Sequence, residues 1–231
     1  MVSDPIGTAE TPADRDEIRS ESGLSSPHRL FALADGVFAI SMTLLALDVR
    51  IPDDVPETSA AFSDAARAFY GNFGVFILAF LITGRFWLVN HGIMARLHTV
   101  DKRVLGRTIM FLAGICSIPV ATSVLFRFGS IPQAVSFAAL LLAATSLSSA
   151  RLWWYLSRPD RNLSNDDPAT RLPVLLRALW TSGVFLLAIP VAYLLPHVGG
   201  REHVGYATLV WLLLLFDNPF ARLVLRLRRR T

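Results

Sequence analysis

The sequence predicts an all-α integral membrane protein with six transmembrane helices per subunit, and two observations support this prediction. Of its 231 residues, 53% are hydrophobic and only 17% are charged, whereas soluble domains have about 25% charged residues. The apolar residues also cluster in long runs that approach the ~20 residues needed to cross a hydrocarbon core. The six predicted spans are residues 31–49, 69–89, 108–126, 134–156, 172–195 and 204–225.

The first 25 residues differ in composition from the rest of the chain. Residues 1–25 are rich in Ser, Pro, Asp and Glu and contain few apolar side chains, which predicts a disordered tail. Ser26 and Pro27 then suit a helix start, because serine caps free amides and proline tolerates the first helical position. We therefore divide the chain into a tail, 1–25, and a six-span domain, 26–231. The long polar stretch before the first span argues against a cleaved signal peptide.

Basic residues are distributed unevenly between the connections, which predicts the orientation. Seventeen Arg and Lys residues fall in the N-terminal segment, in the second and fourth connections and at the C-terminus, against four on the other side. Arg85 lies inside the second span and is counted on neither side. The positive-inside rule then places both termini in the cytoplasm, which requires an even number of spans. We expect a multi-pass protein of the cell membrane.

A carboxylate lies inside the inner end of the first span. Asp35 at that depth costs roughly 2.5–3.5 kcal/mol on insertion scales, so we expect it to face protein or water and not lipid. Trp87, Asn90 and His91 lie at a similar depth near the end of the second span. A polar cluster of these residues with Asp35 is geometrically reasonable. It could be a functional site, or it could simply lock the first two helices together.

A stripe of side chains follows one face of the first helix. Ile40, Thr43, Leu44 and Leu47 recur at i, i+3, i+4 and i+7, the spacing that aligns residues on a helix surface. Such a stripe usually serves packing alone. Periodicity therefore leaves a packing role and a pore-lining role open.

Several chemistries are absent from the sequence. It contains no Gly-rich phosphate loop, no Gly-x-Ser-x-Gly elbow and no His-Glu-x-x-His motif, so we expect no enzymatic activity. His91 and His98 are two helical turns apart, and no carboxylate or cysteine completes a metal site. The single Cys116 excludes an intrachain disulfide framework. We expect no cofactor, no metal and no nucleic-acid partner.

The first span resembles the signature of the transmembrane protein 175 family, the endosomal and lysosomal potassium channels of animals and their prokaryotic relatives. The similarity rests on Arg29, Asp35, the Gly-Val-Phe-Ala-Ile run at 36–40 and Thr-Leu-Leu at 43–45. It extends from about residue 29 to the C-terminus. Further matching segments are 84–91, 101–103, 118–119 and 153–155.

The resemblance implies a potassium-selective, cation-permeable channel without a re-entrant filter loop. The pore would be lined by the first helices of a homotetramer, in contact with potassium ions, the lipid bilayer and other copies of the chain. Ile40 would form the hydrophobic constriction, and Thr43, Leu44 and Leu47 would line the pathway outward. The inner polar network implied by the position of Asp35 would comprise Arg29, Asp35, Trp87, Asn90 and His91.

One departure from the family pattern keeps other function classes open. The family Phe-Ser-Asp is Leu33-Ala34-Asp35 here, so the serine hydroxyl is missing. A non-conducting membrane scaffold is therefore one alternative. A secondary transporter is the other, although such proteins usually show internal repeats and matching broken helices. Pro119 and Pro190 interrupt the third and fifth predicted spans, but the sequence shows no internal repeat.

Overall fold

Helices form the architecture of the part of the chain that the structure describes. The computed structural model describes residues 27–47, 49, 58–97, 100–158 and 171–216. The predicted tail, the first outer connection and the C-terminal residues from 217 onward lie outside these ranges. The elements are α1 (Pro27–Leu47), α2 (Ser59–Met94), α3 (Lys102–Cys116), α4 (Ile118–Phe128), α5 (Pro132–Leu156), α6 (Arg171–Gly199) and a C-terminal 3₁₀ helix (Arg201–Phe216).

Five helical segments are long and apolar enough to cross a membrane. They are α1, α2, α3 together with α4, α5, and α6. They confirm the first five predicted spans. The sixth, 204–225, overlaps the 3₁₀ helix, in which the apolar helical stretch His203–Leu214 is shorter than the five candidate spans. The remainder of that predicted span lies outside the described residues.

Two boundaries differ from the predicted spans for local reasons. Helix α2 begins at Ser59 rather than at residue 69, because Thr58 has extended backbone and its side chain accepts a hydrogen bond from the Ala61 amide. The third span is two helices, α3 and α4, which meet at Ser117. Pro119 lies in the first turn of α4, where its missing N–H costs nothing. Helix α6, in contrast, continues through Pro190.

A series of aromatic contacts joins four helices and the 3₁₀ helix through the core. The ring of Phe38 in α1 lies 6.0 Å from Phe111 in α3, which lies 6.2 Å from Phe86 in α2. Phe86 lies 6.2 Å from Phe185 in α6, which contacts Trp211 of the 3₁₀ helix at 5.8 Å. Such pairs add to the free energy gained from burying the rings. Helix α1 is thus attached to the bundle through one face.

Asp101 fixes the start of α3 to the end of α5. Its carboxylate accepts a hydrogen bond from the Val104 amide at 2.6 Å and another from the Tyr155 hydroxyl at 2.5 Å. The Arg107 guanidinium lies over the Tyr155 ring, 3.9 Å from its centroid. Asp101 thus caps α3, and it also contacts Tyr155 in α5. The cation–π contact between Arg107 and Tyr155 is a second contact between α3 and α5.

Candidate functional site

Helix α1 presents two different faces. Its buried residues are Leu30, Ala34, Phe38, Ser41 and Leu45, spaced by three or four positions. This spacing places them on one side of the helix, where they pack into the bundle. The other side is not covered by any of the residues that the structure describes.

All four residues of the predicted stripe lie on the uncovered side of α1. Ile40 is 61% exposed and Leu47 is 63% exposed. Thr43 and Leu44 are exposed between them. The structure therefore brings the predicted pore-lining residues together on one surface, and none of them packs into the core of its own subunit.

Thr43 is the polar member of this stripe. Its hydroxyl donates a hydrogen bond to the Ile40 carbonyl, with 2.8 Å between the two oxygens. A hydroxyl has one proton and two lone pairs, so its oxygen remains able to accept a hydrogen bond or contact a cation. The stripe thus combines apolar side chains with one exposed acceptor oxygen.

Asp35 is exposed on α1 and pairs with α2. Its Oδ1 accepts a hydrogen bond from the Trp87 indole nitrogen at 2.9 Å. The Trp87 ring lies 5.3 Å from the His91 ring, one turn further along α2. Asp35, Trp87 and His91 therefore form a series of two contacts, a hydrogen bond between α1 and α2 and a ring contact within α2.

The other two residues of the predicted network lie apart from this series. Arg29 is exposed in the first turn of α1, and within the described residues no ion pair joins it to Asp35. Asn90 is buried, and its Oδ1 has no hydrogen-bond partner in the described part of the chain. Membership of Arg29 and Asn90 in the network stays a prediction.

Of the two residues that differ from the family signature, Leu33 and Ala34, only the second lies on the buried side of α1. Ala34 is 1% exposed and belongs to the main hydrophobic core, whereas Leu33 is half exposed. A serine at position 34 would place a hydroxyl in that core, where it would need a hydrogen-bond partner. The alanine removes that requirement without changing the uncovered side of the helix.

Arg85 contacts residues that the sequence analysis did not identify. Its guanidinium donates to the Thr181 hydroxyl in α6 at 3.2 Å and to the Leu214 carbonyl in the 3₁₀ helix at 3.4 Å. The Thr181 hydroxyl in turn donates to the Arg177 carbonyl at 2.8 Å. An arginine inside an apolar span requires polar partners or water around its guanidinium. The sequence cannot say which of the distant helices supplies them.

The helices and the uncovered side of α1 define a multi-pass helical membrane protein. Residues 29–119 match the family model described as the endosomal/lysosomal potassium channel TMEM175. A protein named potassium channel from Streptomyces collinus is 28% identical over 171 residues, which cover 71% of this chain and 82% of that protein. Another from Chamaesiphon minutus is 23% identical over 180 residues, covering 76% and 86%.

The fold is also shared with a solved structure. The crystal structure of a lysosomal potassium-selective channel TMEM175 homolog from Chamaesiphon minutus matches with a TM-score of 0.68. The match has 19% identity and covers 84% of this chain and 97% of that one. The chain is therefore similar to the TMEM175 family in sequence over residues 29–119 and in its overall fold. The relatives it matches are named as channels and not as enzymes.

Proposed function

We propose that this chain is a potassium channel of the cell membrane, that it assembles as a homotetramer and that α1 lines its pore. The observation that carries the proposal is the exposure of Ile40, Thr43, Leu44 and Leu47 on the uncovered side of α1. The names of the family and of its two curated relatives support potassium as the permeant ion.

The charge on α1 favours assembly over simple contact with lipid. An apolar stripe alone would suit lipid equally well, but Asp35 is also exposed in the isolated subunit. A carboxylate at that depth needs protein or water around it, since hydrocarbon supplies neither a partner nor hydration. One helix cannot enclose a water-filled path. Copies of the chain related by a closed rotational symmetry can do so, with one α1 from each.

The side chains of α1 suggest how such a pore would work. A ring of Ile40 side chains excludes water when it is narrow, because nothing on its wall replaces the hydration shell of an ion. Thr43, one turn outward, offers an oxygen to a partly dehydrated cation. Leu44 and Leu47 continue the path to the outer end. Asp35, Trp87 and His91 tie the inner part of α1 to α2, and Arg29 and Asn90 complete the proposed network.

The arrangement in the membrane follows from the charges in the connections. The excess of basic residues in and beside the second and fourth connections supports an orientation with the ends of α2 and α5 at the cytoplasmic face. In this proposed arrangement both termini lie in the cytoplasm, and residues 26–231 form the channel domain. A sixth span that includes the 3₁₀ helix is needed for this arrangement.

Ion flux through the purified protein in liposomes tests the proposal. With potassium, sodium and proton gradients imposed separately, we expect passive potassium flux that exceeds sodium flux and needs no second gradient. Flux that stops when the second gradient is removed would identify a secondary transporter. Absence of flux in vesicles that contain correctly folded tetramers would identify a non-conducting scaffold. Either result would overturn the channel assignment.

A further inference from the structure

A cavity lies between α2, α5 and α6, separate from the exposed face of α1. Its volume is about 340 Å³. Three arginines and three hydroxyl residues contribute to its wall, and most of the remaining lining is apolar. The polar lining residues are Arg85, Arg96, Ser146, Ser149, Arg177 and Thr181.

The cavity is positively charged. Its lining brings three guanidinium groups to one space, and none of the described lining residues is acidic. Two of these groups are held in place by neighbours, because Arg85 donates to Thr181 and Arg96 lies 5.5 Å above the centre of the Trp153 ring. Guanidinium groups fixed in this way are suited to hydrogen-bond the oxygens of a phosphate, which they can contact in pairs.

The apolar part of the wall reaches the outer surface of the bundle. Leu88 and Val89 line the cavity and are exposed on α2, while Phe86 and Phe185 form its deeper side. A ligand that enters here would place an anionic group among the arginines and an apolar part against α2. A small hydrated anion would contact the arginines only and would leave the apolar surface of α2 uncovered.

We propose that this cavity binds the phosphate group of an acidic phospholipid, with the acyl chains lying along Leu88 and Val89. Basic pockets between transmembrane helices bind lipid headgroups of this kind. Arg96 and Arg177 lie near the ends of α2 and α6 that face the second and fourth connections, at the depth of the headgroup layer. The site is independent of the pore proposal, because its test measures lipid binding and not ion flux.

The test is a lipid titration of the purified full-length chain in mixed micelles. The thermal unfolding midpoint is followed while phosphatidylglycerol, phosphatidylcholine or inorganic phosphate is added, and native mass spectrometry counts the lipids bound. We expect phosphatidylglycerol to raise the midpoint at lower concentration than phosphatidylcholine. Arg96→Gln and Arg177→Gln should each raise its half-saturating concentration about tenfold, the effect of losing one charge-assisted contact.

Arg151→Gln provides the matched control. Arg151 is an exposed arginine on α5, next to the lining residue Ala150 but outside the cavity. Both cavity arginines chosen for substitution are also exposed, so these variants should fold. An equal loss in Arg151→Gln, or equal effects of the two lipids, would overturn the site. If inorganic phosphate reproduced the whole effect, the site would bind a soluble anion, and the lipid assignment would be wrong.

Discussion

The indole nitrogen of Trp87 donates a hydrogen bond to the carboxylate of Asp35, 52 positions away along the chain. The two residues come from the first and second membrane helices. A hydrogen bond to a charged acceptor is stronger than one between neutral groups, and a low-dielectric surrounding strengthens it further. This contact gives the carboxylate on α1 a partner inside its own subunit.

We predict that Trp87→Phe destabilises the protein by removing this donor while keeping an aromatic ring beside His91. The midpoint of thermal unfolding should fall by about 2–4 °C. Asp35→Asn weakens the same contact, so the double variant should be less destabilised than the sum of the two single variants. Asp64→Asn, at an exposed position near the start of α2, is the control and should leave the midpoint unchanged. Fully additive effects would show that the two side chains do not interact.

We predict that Ile40→Asn raises cation flux and weakens the discrimination between potassium and sodium. An amide ring at the constriction would hold water where isoleucine excludes it. The measurement is flux in liposomes under separate potassium and sodium gradients, on protein whose tetrameric state has been checked.

Leu81→Asn is the matched control for this substitution. Leu81 is 58% exposed on α2, close to the exposed fraction of Ile40. If both side chains simply face lipid, the two substitutions should reduce yield and stability alike. A well-folded Ile40→Asn tetramer with unchanged flux and selectivity would exclude Ile40 from the pore.

We predict that a cysteine at position 47 forms disulfides between subunits. Leu47 lies at the outer end of the stripe, and in the proposed assembly copies of this residue approach one another around the pore axis. The experiment uses Leu47→Cys in a Cys116→Ser background, because Cys116 is the single natural cysteine. Oxidation should give dimers on denaturing gels. Leu194→Cys on α6 is similarly exposed and should remain monomeric. Equal cross-linking of both variants would argue against α1 at the centre.

We predict that positions 54 and 165 lie on opposite sides of the membrane. Asp54 follows the first span and Asn165 follows the fourth, so the charge pattern places them outside and inside, respectively. Cysteines introduced at each position in the Cys116→Ser background should react with an impermeant reagent on intact cells only at position 54. Labelling of both positions from outside would refute the six-span arrangement.

The helices and the two sides of α1 could be predicted because they depend on local sequence. The length of each apolar run predicts a span, and the spacing from Ile40 to Leu47 aligns that stripe in any α-helix. The start of α2 at Ser59 was missed because Ser59–Ala68 is less apolar, although its alanines favour a helix and Thr58 caps it.

The contacts between distant helices could not be predicted in the same way. The similar depth of Trp87 and Asp35 on adjacent spans predicts that the two residues can meet. Arg85 was recognised as unusual, yet its contacts with Thr181 and Leu214 depend on how α6 and the 3₁₀ helix pack against α2. No local pattern determines that packing.

The contacts of Arg85 impose an order on the synthesis of the protein. Leu214 follows Arg85 by 129 residues. At roughly 5–20 residues per second, the ribosome needs about 6–26 s to reach it. Thr181 follows Arg85 by 96 residues and is reached after about 5–19 s, before Leu214. The two contacts of Arg85 with α6 and the 3₁₀ helix therefore form late, after α2 has been made, and the second of them forms only when the chain has been synthesised as far as Leu214.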